Sequence, residues 1–223
     1  MTSSESAYAG GELTYDVFLS YAHVNNHPDG GAWVSEFHKQ LRAKLDERLG
    51  RSGRAKFFFD TGTLGKNVEF GPQIEEALRK SATVVAVISQ GYIESPNCRE
   101  ELRFFDDHVV PGPVSQSRRL YLVWYDAREA QSEWPEAYRD EFTRRVQGIL
   151  GYECCAPVPG VPSGRPLSTS DPEYQTSLLR ITTELATYIN KSRNRPATTA
   201  PAKPGRILPP SQLPPSTRRF QPS

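Results

Sequence analysis

The apolar and polar positions of this chain fall into two alternating rhythms. Tyr15–Ala22, YDVFLSYA, is an almost unbroken apolar run, as expected of a strand buried on both faces. In GAWVSEFHKQLRAKLDERLG the spacing lengthens. Trp33, Phe37, Leu41, Leu45 and Leu49 recur at every fourth position and Gly50 closes the pattern, which predicts a helix with one apolar stripe. Lys56–Asp60, KFFFD, predicts a second strand, and TGTLGKNVEFG after it a glycine-punctuated loop. Pro72 opens a predicted helix with Ile74, Ala77 and Leu78 facing inward. Thr83–Ser89, TVVAVIS, is β-branched and uncharged, the clearest strand signal in the chain. SPNCREEL lies on the helix that follows. Arg118–Asp126, RRLYLVWYD, predicts a fourth strand, and WPEAYRDEFTRRVQGIL a helix with Tyr138, Phe142, Val146 and Ile149 as its stripe. YECCAP holds a weak signal for a short fifth strand, and a last helix is predicted from Asp171–Pro172 to Arg193.

Strands that read as continuous apolar runs, separated by helices, imply a parallel sheet covered on both faces. The expected fold is α/β: a flavodoxin-like three-layer arrangement with a four- to five-stranded parallel sheet and helices on both faces. Ligands of such sheets gather at the carboxyl ends of the strands. Here those ends are Ser20–His23, Asp60–Gly65, Ser89–Gly91 and Trp124–Asp126.

Composition adds boundaries to this picture. The chain has 223 residues, room for one ordinary domain with extensions. Charged residues are 24% and apolar types 37%, normal for a globular protein in water. A net charge of +1 gives no bulk attraction to nucleic acid or membrane. The balance is uneven, however. After Glu184 the chain has no acidic residue, while Lys191, Arg193, Arg195, Lys203, Arg206, Arg218 and Arg219 follow. Proline recurs from Pro196 to Pro222, and LPPS occurs twice. Residues 1–13 therefore read as a flexible arm, 14–192 as the folded domain, and 193–223 as a proline-rich basic linker or tail. PAKPGR fits a polyproline ligand for an SH3-type domain less well than it fits a plain spacer.

Cys98, Cys154 and Cys155 form no C-x-x-C pair, a sparse odd set that suits a reducing cytoplasm. MTSSESAYAGGEL has neither a basic start nor an apolar core, and TVVAVI is far shorter than the roughly 20 residues of a membrane span. The expected location is cytoplasmic. No G-x-G-x-x-G follows a strand, Gly65–Lys66–Asn67 lacks P-loop spacing, and no G-x-S-x-G elbow occurs. His23, His27, His38 and His108 share no metal-ligand spacing, so no metal is expected. Aromatic residues do not interleave with a basic patch in the folded region, so nucleic acid is not expected as a partner.

One helix carries a more specific signal. Ser95–Pro96 reads as an N-cap with proline in the first turn. At ~100° per residue, Cys98, Leu102, Phe105 and Val109 cluster within roughly 40° and define a buried face. Glu101 then lies about 70° from the middle of that face and Glu100 about 170° away. Glu100 points to water, and Glu101 sits at the edge of the core near the carboxyl ends of the strands. By itself that geometry is also met by any glutamate paired with an arginine at a helix border, Arg99 for example.

YDVFLSYA, FFFD, a glycine loop, ALRKSATVVAVIS and S-x-x-C-x-x-E-L, in that order, resemble the TIR (Toll/interleukin-receptor) domain family, in its bacterial-type NAD-cleaving branch. The resemblance covers roughly 15–150, with the last helix also expected. It implies an NAD+ glycohydrolase that breaks the nicotinamide–ribose bond, with ADP-ribose or cyclic ADP-ribose as product, in defence (antiphage defence in bacteria) or signalling. NAD+ is then the substrate and no cofactor is required. The resemblance puts Glu101 at the catalytic position. Tyr21, Ala22, His23, Asp60, Leu64 and Gly65 would approach the dinucleotide, His23 as a contact only. Trp134 resembles an aromatic position that stacks on substrate in some NAD-cleaving relatives; a helix-start staple on the core is the equal alternative. Asn97 stands where active relatives often carry tryptophan, four residues before the glutamate. Activation by self-association through TIR–TIR contacts is implied, with Thr61, Gly62, Lys66 and Asn67 in the docking loop, and a fused or separate sensor module beyond the tail as a further partner. Two rivals remain: a non-catalytic TIR adaptor that binds other TIR domains, favoured by Asn97, and an unrelated flavodoxin-like domain binding a nucleotide or phosphate.

Overall fold

The computed structural model describes residues 13–26, 32–50, 55–59, 70–110, 119–149 and 151–194. Five strands form one parallel sheet: β1 (Tyr15–Tyr21), β2 (Phe57–Phe58), β3 (Ser81–Ile88), β4 (Leu120–Trp124) and β5 (Gly151–Glu153). Their order is β2-β1-β3-β4-β5. Register runs Val17 opposite Phe57 and Thr83, Val85 opposite Tyr121, and Val123 opposite Tyr152. The helices are α1 (Trp33–Leu49), α2 (Pro72–Arg79), α3 (Gln90–Glu94), α4 (Pro96–Phe104), α5 (Glu136–Val146) and α6 (Pro172–Arg193). The three-layer α/β expectation describes this architecture.

Side chains alternate across a strand, and here the alternation divides the protein into two cores. Val17, Leu19, Tyr21, Val85, Val87, Tyr121 and Val123 face α1 and α6. Phe18, Ala22, Val84, Ala86, Ile88, Leu122 and Trp124 face α2, α4 and α5. The four-residue stripe of α1 is fully committed to the first core: Phe37, Leu41 and Leu45 have no exposed surface. Truncating either leucine to alanine would cost about 2–5 kcal/mol, because the surrounding packing fills such a cavity only in part.

The elements depart from the sequence expectations in four places. β2 is two residues long rather than the five of Lys56–Asp60. The segment after β3 is two helices, capped separately: Ser89 Oγ accepts from Tyr92 N, and Ser95 Oγ accepts from Cys98 N. α4 then loosens into a π-turn, Phe105–Val109, closed by Val110 N on Phe105 O at 3.1 Å. The helix expected from Trp134 begins at Glu136, after a 3-10 turn over Arg128–Glu133. The YECCAP signal splits into β5 and the start of an antiparallel hairpin, β6 (Cys155–Val158) and β7 (Val161–Pro166). Three prolines in that hairpin mask it in the sequence, and a two-stranded ribbon tolerates them because its outer edges need no ladder donors. Gly160 makes its turn at φ 75°, a left-handed conformation suited to glycine. Ala127 N donating to Ser163 O at 2.7 Å fastens the hairpin beside β4.

α6 ends at Arg193, where the last helix was expected to end. The Arg193 guanidinium donates to both oxygens of Asp16 at 2.8 and 2.7 Å, and Lys56 N donates to the same carboxylate at 2.7 Å. Asp16 is 1% exposed. A carboxylate so deeply buried persists only when paired and hydrogen-bonded, and here it ties the last helix to the entry of β1. Among the described residues no helix is long and apolar enough to cross a membrane.

Candidate active site

The chain leaves β1 for β2 on one side and returns to β3 on the other. That reversal opens a crevice at the carboxyl ends of the strands, the usual ligand position in open α/β sheets. A cavity opens there, about 480 Å³ with the open solvent at its mouth included. β1 contributes Phe18, Leu19 and Tyr21, and His23 follows on a 3-10 turn. β2 contributes Phe58 and α2 Ile74. The far wall is Ser95 and the first turns of α4, with Asn97, Cys98 and Glu101.

Helix phase brings Glu101 to this wall. Cys98 and Leu102 bury against the sheet, at 3% and 5% exposure, and Glu101 lies between them, half-buried. Its Oε2 accepts a hydrogen bond from Ser20 Oγ at 2.5 Å. Ser20 Oγ is in turn 3.1 Å from the Tyr92 hydroxyl. Glu100, one residue earlier, turns to the opposite side and pairs with Arg103 at 3.4 Å, its side chain 47% exposed.

Of the residues singled out in the sequence, Tyr21, His23, Asn97 and Glu101 come together around the cavity. Tyr21 is buried, with its ring 5.4 Å from those of both His23 and Phe59. His23 is exposed at the mouth. Ala22 is buried beneath the turn and does not line the cavity. The turn packs over Gly91: a Cβ there would sit 2.4 Å from Val24 Cγ1, so a larger residue would displace the exposed Val24 side chain beside His23. Asn97 Oδ1 accepts from Phe70 N at 3.3 Å and joins the entry of α2 to α4. Aromatic lining of the cavity comes from β1 and β2, with Phe18 and Phe58 stacked at 5.0 Å. Trp134 lies elsewhere. It is 3% exposed and packs on Trp124 and Phe142 at 6.4 and 5.4 Å, between β4 and α5, in the place of a core staple rather than a substrate platform. β4 is separated from β1 by β3, which takes Trp134 away from the cavity. Asp60, Leu64 and Gly65, with the loop positions Thr61, Gly62, Lys66 and Asn67, lie outside the described residues.

Two hydroxyls behind the site were given no role in the sequence reading: Ser20 is 2% exposed and Tyr92 1%. A signal for Ser20 existed: a serine inside a strand buried on both faces must find a partner. Nothing local marked Tyr92. Burial pushes the Tyr92 phenol well above its ordinary range, with the neighbouring Cys98 and Glu101 adding to the shift. Burial likewise pushes the Cys98 thiol up, so it is a poor nucleophile. Asp126, at the tip of β4, has its carboxyl raised by burial and accepts Gln90 N at 2.6 Å, which caps α3. His38 is held down at about 4 by burial and by Arg42, between Phe57 and Phe59 and away from the cavity. Among the described residues no cluster of three or more His, Cys, Asp or Glu could hold a metal ion.

A family model described as "TIR domain" matches residues 17–141. A protein of Brachypodium distachyon named "Probable 2' cyclic ADP-D-ribose synthase BdTIR" is 24% identical over 134 residues, which is 60% of this chain and 51% of that relative. The chain thus spans about half the length of that relative. TIR domains in the structure of the activated Roq1 resistosome directly recognizing the pathogen effector XopQ align over 79% of this chain and 84% of theirs, at 18% identity and a TM-score of 0.38.

Proposed function

The chain belongs to the TIR domain family, and on that premise we propose that it cleaves the nicotinamide–ribose bond of NAD+, with Glu101 as the carboxylate at the reacting sugar. One observation carries the proposal: a half-buried glutamate on the wall of the switch-point cavity, its carboxylate fixed by Ser20. The name of the Brachypodium relative supports the same chemistry.

The chemistry needs little more than this. The C1′–N bond breaks with its electron pair going to nicotinamide, which leaves as a neutral molecule and needs no proton. The ribose develops oxocarbenium character, and an adjacent carboxylate stabilises that charge, as in glycoside hydrolysis. An oxygen nucleophile then bonds to C1′ and loses its proton to solvent or to the carboxylate. Water gives ADP-ribose; a hydroxyl of the same dinucleotide gives a cyclic product, the class named for the relative. Phe18, Tyr21 and Phe58 supply apolar surface that limits water at the bond.

Self-association is part of the reading. The loop containing Thr61, Gly62, Lys66 and Asn67 would dock a neighbour and order the mouth of the site, so specific activity rises with concentration. The test is to incubate concentrated or bead-clustered protein with NAD+, follow free nicotinamide, and separate ADP-ribose from cyclic forms. Release that matches the Glu101→Ala background overturns the activity. Specific activity unchanged down to nanomolar protein overturns the coupling to assembly. A second reading, a non-catalytic adaptor, draws on Asn97, which offers an amide where active relatives often carry tryptophan. In that case Glu101→Ala leaves signalling intact while changes in the 61–71 loop abolish it.

A further inference from the structure

We infer that Ser20 is a positioning residue for Glu101, and that the Tyr92 hydroxyl behind it completes a buried hydroxyl relay that aims the carboxylate. The inference rests on the NAD-cleaving reading above.

The argument begins with a misfit. β1 and β3 are buried on both faces, and Ser20 lies on the same face of β1 as Phe18 and Ala22, which belong to an apolar core. A hydroxyl there, without a partner, costs about 1–3 kcal/mol. Alanine in its place would leave no such requirement, so the serine is a stability cost unless it is fully bonded. It meets two oxygens: Glu101 Oε2 at 2.5 Å and Tyr92 OH at 3.1 Å.

Proton counting gives the direction of this chain. A serine hydroxyl has one proton to donate. The 2.5 Å bond is of the short, charge-assisted kind in which a carboxylate accepts, so the Ser20 proton is committed to Glu101. The 3.1 Å contact is then made by the Tyr92 phenol donating to Ser20 Oγ. Burial keeps that phenol protonated. Tyr92 is itself fixed, with 1% exposure and its backbone N–H on the Ser89 cap. The relay therefore runs from a locked ring in α3, through a locked strand residue, to one oxygen of a side chain with three rotatable bonds. Both groups of the relay are neutral, so neither of them cancels the carboxylate's charge.

Substitution at Ser20 removes this bond and keeps the carboxylate. Ser20→Ala lowers kcat for nicotinamide release by about 10–100-fold, the scale of a small misplacement at a reacting centre. KM for NAD+ stays within about twofold, because Ser20 does not touch the substrate. Ser20→Thr keeps the hydroxyl and restores most of kcat. Tyr92→Phe keeps the ring and loses the first donor, which lowers kcat by about 2–10-fold, the equivalent of one net hydrogen bond. Thermal melts of all three variants check that each is folded.

The experiment compares kcat and KM of the unaltered chain, Glu101→Ala, Ser20→Ala, Ser20→Thr and Tyr92→Phe at equal, clustered concentration. An inactive unaltered chain overturns the activity and this inference with it. A Glu101-dependent activity that Ser20→Ala leaves at full kcat overturns the inference alone. So does a Ser20→Ala loss confined to KM, or one that Ser20→Thr fails to restore while melting at the same temperature as the unaltered chain.

Discussion

α4 carries carboxylates on two sides, and the two sides hold them differently. On the cavity side, Glu101 takes its 2.5 Å bond from a neutral hydroxyl. On the side toward α5, the partners are guanidinium groups. Arg103 donates to both oxygens of Glu141 at 2.5 Å. Arg145 reaches Glu141 at 3.3 Å, Asp106 at 2.6 Å and Asp107 at 2.8 Å. Glu100 joins the edge of that group through Arg103 at 3.4 Å. A guanidinium cancels the charge it binds, so the α5 side is a clamp between two helices. A neutral hydroxyl orients a carboxylate without itself cancelling the charge. The same residue type thus serves stability on one side of a helix and suits electrostatic catalysis on the other.

The comparison predicts effects that separate activity from stability. The largest is at Glu101. Glu101→Ala lowers nicotinamide release by ~100-fold or more, the scale of removing one preorganised electrostatic group, while its melting temperature stays close to that of the unaltered chain. A melt that collapses with the activity would make Glu101 a structural residue like Glu141.

Next comes Arg145→Ala, with the opposite signature. Its side chain is 14% exposed and bonds three carboxylates. Its loss costs roughly 2 kcal/mol, on the scale of hydrogen bonds to charged groups, and lowers Tm by about 4–8 °C for a domain of this size. Turnover per folded molecule changes little. A selective fall in kcat at full Tm would break the division between the two sides.

A pH titration sharpens the same point. The Arg103 bond, helped by Arg145, holds the Glu141 carboxyl down at about 2. A folded pKa below the unfolded value of about 4.3 contributes stability above that value and loses it as pH falls toward 2. Urea midpoints of the unaltered chain and of Glu141→Gln should therefore differ most above pH about 4.5 and converge as pH falls toward 2. A constant gap across that window would remove the charge from the account.

The smallest effect is expected at Glu100, whose side chain is 47% exposed and whose ion pair spans 3.4 Å. Exposed pairs contribute about 0–1 kcal/mol, so Glu100→Ala alters both Tm and turnover little, the latter by less than about twofold. Equal losses of turnover at Glu100 and Glu101 would remove the distinction between the two faces of α4.

Legibility in the sequence followed physical range. The strands buried on both faces announced themselves as apolar runs, and α1 by its four-residue stripe, because both signals are local and repeated. The facing of Glu101 and Glu100 followed from helix phase alone, since Cys98 and Leu102 fixed which side was inward. Trp134 shows the limit of the same logic. Its neighbours in the fold, Trp124 on β4 and Phe142 on α5, decide whether an indole meets substrate or core. The β6–β7 hairpin was hidden because Pro157, Pro162 and Pro166 read as breakers, and only the antiparallel pairing of β6 with β7 in a two-stranded ribbon makes them compatible with strands.

What the chain's own order of residues determined is the layered α/β frame, the helix phase of α4 and the presence of a carboxylate near the carboxyl ends of the strands. Periodicity and caps act between neighbours in sequence, so they can be read without a structure. What only the folded molecule decided is how that carboxylate is held. Ser20 and Glu101 are 81 positions apart, and Ser20 and Tyr92 are 72 apart. Their meeting depends on β1 lying next to β3 in the sheet and on the break at Ser95 that turns α4 across the crevice. A hydrogen bond between side chains so distant in sequence leaves no period to detect; it exists only once the sheet has formed.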